Sequence, residues 1–131
     1  MTVQEILKTK KSFAIVGATQ NPERYGYEVF AVLRKAGYNV FPVNPKYEEI
    51  DEIKCYPSLK DIPQKPDVVI SALAPANTEK VTESVKELGI EILWMLPGCW
   101  SEEAVEKCKV LHISFVHDVC PVGIVKMMEA K

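Results

Sequence analysis

Three stretches and two cysteines of this 131-residue chain are of residue types that could hold or transform a ligand. Gly17-Ala18-Thr19-Gln20 follows an apolar run and precedes a segment of helical period. In that position backbone N–H groups and the positive end of a helix dipole can face a phosphate. Asn44-Pro45-Lys46 follows a second apolar run and sets a cation beside the end of a strand. His117-Asp118 offers an acid–base pair, and Cys99 and Cys120 offer thiols.

These signals are not equally specific. A G-x-G-x-x-G spacing fails, because Gly17 and Gly26 are the only glycines of the region, and no P-loop lysine is present. A tight turn alone explains Gly17, and a solvated turn lysine alone explains Lys46; their shared place after strands is what turns both toward phosphate. A protein that binds NAD commonly sets a carboxylate about 20 residues after the glycine loop to grip the ribose hydroxyls. Lys46 stands there instead, and a cation suits the 3′-phosphate of coenzyme A or the 2′-phosphate of NADP better than a bare ribose.

A base at His117 would need a nucleophile or substrate pocket beside it, so no residue is assigned a catalytic role. His112 falls inside the expected fifth strand and reads as structural. Cys99 and Cys120 read as small buried filler. Their sharper alternative is exchange with a ligand thiol, which requires a lowered pKa. With Cys55 and Cys108 they make four cysteines without a C-x-x-C pair, so neither a zinc site nor a secreted disulfide framework is indicated.

Short apolar runs alternating with helical periods must position these residues. Phe13–Val16, Asn39–Val43, Asp67–Leu73, Ile90–Leu96 and Leu111–Val116 read as five strands. Pro42 is anomalous within the second, since it cannot donate a ladder hydrogen bond. Helices are expected from Asn21-Pro22 or Tyr25-Gly26 to Gly37, through Val81, Val85 and Leu88 to Gly89, from Ser101 onward, and from Pro121 or Val122 to Met128. A short amphipathic helix is expected through Val3, Ile6 and Leu7. The segment from Tyr47 to Pro66 reads as irregular, with one or two helical turns at Ser58–Ile62. This pattern predicts one α/β domain over residues 1–131, of Rossmann-like three-layer form, with a five-stranded parallel sheet and helices on both faces. Its ligand would sit at the carboxyl ends of the strands.

Composition removes several classes of function. With 47% hydrophobic and 26% charged residues and a formal charge of −2, the chain has no basic excess for nucleic acid or an anionic membrane. No stretch approaches the roughly 20 apolar residues of a membrane span, and residues 1–11 lack a signal peptide's apolar core. A cytoplasmic protein is expected, with sheet edges compatible with a homodimer.

Val16-Gly17-Ala18-Thr19, Asn21-Pro22-Glu23-Arg24, the run Phe41-Pro42-Val43-Asn44-Pro45-Lys46-Tyr47-Glu48-Glu49, Cys55-Tyr56-Pro57-Ser58-Leu59 and Trp94-Met95-Leu96-Pro97-Gly98 resemble the small CoA-binding proteins. These are similar in turn to the CoA-binding domain of the succinyl-CoA synthetase α subunit. The resemblance implies that Gly17, Ala18 and Thr19 face a pyrophosphate and that Arg24 and Lys46 neutralise phosphates. It further implies that Asn44 and Pro45 border the adenosine, and that Leu73, Ala74, Pro75, Pro97 and Gly98 line the rest of the cleft. Leu96-Pro97 departs from the glutamine many relatives carry there, and Val119-Cys120 from their Arg-Cys pair. The synthetase's phosphorylated histidine belongs to a second domain, for which this chain has no room. The implied function is non-catalytic binding of coenzyme A or acyl-CoA. The alternatives are a small NADP-dependent oxidoreductase, or a thiol-redox or acyl-transfer protein using Cys99 or Cys120.

Overall fold

The computed structural model describes residues 2–129. Helix α1 (Val3–Thr9) leads into β1 (Ser12–Val16), α2 (Tyr25–Lys35) and β2 (Asn39–Val43). A two-stranded hairpin, β3 (Glu49–Ile50) and β4 (Ile53–Lys54), and a 3-10 turn at Leu59–Asp61 come next. The chain then alternates through β5 (Val68–Ser71), α3 (Pro75–Glu87), β6 (Ile92–Met95), α4 (Glu102–Val110), β7 (Ser114–His117) and α5 (Pro121–Glu129). Five parallel strands form one sheet in the order β2-β1-β5-β6-β7.

Strand alternation divides the core between the two faces of that sheet. Phe13, Ile15, Ile70 and Trp94 pack with Val29, Phe30 and Leu33 of α2, with Ile6 and Leu7 of α1, and with Val125 of α5. Ala14, Val69, Leu93 and Met95 pack instead with Val85 of α3 and Cys108 of α4. Strands covered on both sides must be apolar at every position, which is why they read as unbroken runs. Trp94 is fully buried and its indole N–H donates to the carbonyl of Val119 at 2.7 Å.

Pro42 is accommodated because β2 is an edge strand. Val43 accepts from the Gly17 N–H on the β1 side, whereas the Pro42 carbonyl accepts from the Tyr56 N–H on the outer side. One residue's N–H and C=O point the same way in a strand, so the donor proline lacks would have pointed away from β1.

The structure corrects three expectations. The segment after Tyr47 is not wholly irregular: β3 and β4 pair antiparallel through a turn in which Asp51 and Glu52 have φ of 48° and 69°. Glycine or asparagine usually marks such a turn, and neither stands there. The last sheet strand begins at Ser114 rather than Leu111, because α4 runs to Val110 and closes through Leu111. His112 consequently lies in the closing turn, not in the strand. It has φ of 59°, the Ile113 N–H returns to the Cys108 carbonyl at 2.8 Å, and the same closure is made at Gly37 and Gly89. An exposed histidine thus fills a left-handed position that glycine fills at the other two helix ends, at a cost of about 1 kcal/mol.

Candidate functional site

Strand order turns back on itself at β1, which has β2 on one side and β5 on the other. A crevice opens at such a switch point, beyond the carboxyl ends of the strands. Two clefts meet there. One, of about 660 Å³, lies on the α2 side and is lined by Thr19, Arg24, Tyr47, Pro97 and Cys99 among others. The second, of about 720 Å³, lies on the α3 side between Pro57, Leu59, Val81 and Leu88. Gly17, Asn44, Lys46 and Leu73 line both.

Ten of the twelve residues expected from sequence therefore converge: Gly17, Thr19, Arg24, Asn44, Pro45, Lys46, Leu73, Ala74, Pro97 and Gly98 all line one cleft or both. Two line neither cleft. Ala18 is completely buried, and its carbonyl accepts from Asn44 Nδ2 at 2.9 Å. Pro75 is the first residue of α3 and lines neither cleft.

Asn44 and Thr19 hold the loops to one another. Asn44 Oδ1 accepts from the Lys46 N–H at 2.9 Å while its amide reaches Ala18, so both ends of the side chain are engaged. Thr19 Oγ1 accepts from the Asn21 N–H at 3.2 Å and lies 3.0 Å from the Tyr47 hydroxyl. Among the described residues no acceptor takes the backbone N–H of Thr19 or Gln20. Helix α2 begins beside them without a capping side chain, leaving its first N–H groups for an anion. Arg24 and Lys46 add positive charge, and neither is in an ion pair among the described residues.

Gly17 and Gly26 make this geometry possible. Gly17 has φ of 93°, and a Cβ on it would stand 2.9 Å from the Ala72 carbonyl oxygen. Gly26 lies in the first turn of α2, where a Cβ would overlap the Gly17 carbonyl oxygen and stand 3.3 Å from Ala18 Cα. It lets the helix descend onto the loop, as the last glycine of a dinucleotide fingerprint does, at a spacing which that pattern does not cover.

The histidine stands apart from both clefts, and one thiol does not. His117 lines neither cleft; its ring stacks on Trp100 with centroids 4.3 Å apart, and its buried Nδ1 has no hydrogen-bond partner among the described residues. Cys99 does line the α2-side cleft, but burial pushes its thiol up. Burial likewise raises the Cys55 and Cys120 thiols, and Cys108 to about 11. A raised thiol is a poor nucleophile at neutral pH, which weighs against exchange or acyl transfer at Cys99 or Cys120.

Residues 11–125 match the family described as CoA binding domain. The chain belongs to this family. As a CoA binding domain protein it is 30% identical over 118 residues to the uncharacterized protein YneT of Bacillus subtilis, covering 90% of this chain and 87% of that one. It is 31% identical over 115 residues to the ADP-forming acetate–CoA ligase II of Archaeoglobus fulgidus. That match covers 83% of this CoA binding domain protein but 17% of the ligase. A hypothetical protein from Pyrococcus horikoshii shares its fold with a TM-score of 0.90 at 36% identity, over 96% of this chain and 89% of that structure.

Proposed function

We propose that this protein binds coenzyme A or an acyl-CoA as a non-catalytic module of the cytoplasm, with the nucleotide laid across the β1–β5 switch point. The pyrophosphate lies over the Thr19 and Gln20 N–H groups, the start of α2 and Arg24. The adenosine enters the α3-side cleft, whose Pro45, Pro57, Val81 and Leu88 offer apolar surface to a flat base. The pantetheine arm leaves past Leu73, Ala74, Pro97 and Gly98. The observation that carries the proposal is the pair of clefts joined at Lys46, one rich in phosphate-binding groups and one with apolar walls at Pro45, Pro57, Leu59, Val81 and Leu88. Among the described residues no helix is long and apolar enough to cross a membrane.

Mass spectrometry of protein purified from its own host and then denatured tests the ligand's identity. Coenzyme A or an acyl-CoA, near one per chain, is the expected species. NADP in its place would favour the oxidoreductase alternative, which Lys46 also accommodates.

A further inference from the structure

We propose that Lys60, absent from any recognisable motif, is the residue that selects a phosphorylated ribose, acting with Lys46 as a two-cation clamp. This rests on coenzyme A being the ligand. A phosphate monoester carries about −1.5 to −2 charges at neutral pH, more than one ammonium neutralises. Lys46 lines both clefts and is shared between the pyrophosphate and the adenosine end, whereas Lys60 lines only the α3-side cleft. A monoester projecting from an adenosine in that cleft therefore meets Lys60 as its own cation and Lys46 as a shared one.

The position of Lys60 is fixed by its neighbours. Leu59 and Ile62 are buried on either side of it and pin the 3-10 turn to the sheet face beneath α3. Asp61 is the nearest carboxylate in sequence, and Ser58 Oγ donates to its Oδ2 at 2.7 Å, so it is occupied within the turn. Among the described residues Lys10, Lys107 and Lys109 form ion pairs, and neither Lys46 nor Lys60 does. Two ammonium groups without an ion-pair partner share the cleft with a single carboxylate, Glu87, which leaves a net positive charge that an anionic ligand offsets. Glu87 lines the same cleft and opposes that anion.

Calorimetric titration with coenzyme A and with dephospho-CoA, which lacks the monoester, tests the clamp. Lys60→Ala is expected to weaken coenzyme A about two- to fivefold and to leave dephospho-CoA unchanged, as loss of a solvent-exposed charge pair would. Lys60→Arg should retain the discrimination and Glu87→Gln should sharpen it. Unchanged dephospho-CoA binding also shows that the variant is folded. If Lys60→Ala keeps the wild-type ratio between the two ligands, the clamp is wrong while coenzyme A binding stands. If the wild-type protein binds neither ligand, both fall together.

Discussion

Gly26→Ala is expected to destabilise the protein by about 3 kcal/mol, the upper end of overpacking costs, and to lower its melting temperature by roughly 10 °C. The added Cβ overlaps the Gly17 carbonyl oxygen and lies 3.1 Å from the Gly17 carbonyl carbon, so its obstacle is backbone rather than a movable side-chain end. Relief requires α2 to lift from β1, and α2 carries Val29, Phe30 and Leu33, each at most 1% exposed. Lifting the helix also separates its first N–H groups from the Gly17–Gln20 loop, so whatever protein remains folded should bind phosphate poorly. Gly123→Ala in α5 is the control, because nothing lies within 4 Å of the position of its Cβ. That variant should be neutral or more stable by up to about 1 kcal/mol. Thermal unfolding of the two variants decides the matter: similar melting temperatures would show that Gly26 is not a packing glycine.

What was legible in the sequence and what was not divides along physical lines. The sheet strands were legible because burial on both faces leaves no polar position in Phe13–Val16 or Val68–Ile70. The start of α4 was legible because Ser101 Oγ accepts from the Ala104 N–H within three residues of chain. The hairpin was missed because its turn uses Asp51 and Glu52 at positive φ, where local preference gives no warning. In the structure it is held from outside: Tyr27 donates to the Asp51 carboxylate, Arg34 to its carbonyl and Gln20 to that of Glu49. Gly26 passed for an ordinary residue in a helix start because the atom it must clear belongs to a loop nine residues back. Lys60 carried no signal at all, since only the fold of the 55–62 segment brings it to the cleft.

Lys46→Ala is expected to weaken coenzyme A by roughly fivefold to a hundredfold, the range between an exposed ion pair and a shielded charge-assisted hydrogen bond. Read from sequence, Lys46 attracts the ribose phosphate alone. Its place on both clefts adds a share of the pyrophosphate, so dephospho-CoA should lose affinity too, by a smaller factor. Salt should weaken wild-type binding more steeply than binding by the variant, because screening acts on the charge that has been removed. Equal salt dependence in the two proteins, with no loss of affinity, would place Lys46 outside the site.

The most direct measurement is calorimetric titration of the wild-type protein with coenzyme A and, separately, with NAD under identical buffer and salt. The two share an adenosine and a pyrophosphate and differ in the ribose phosphate and in what lies beyond the pyrophosphate. Saturable binding of coenzyme A at about one per chain, with NAD at least tenfold weaker, is the expected result, since loss of one charged contact and of the pantetheine arm together exceeds about 1.4 kcal/mol. NAD binding as tightly as coenzyme A, or a folded protein that takes up neither, would contradict coenzyme A as the ligand of this switch-point site.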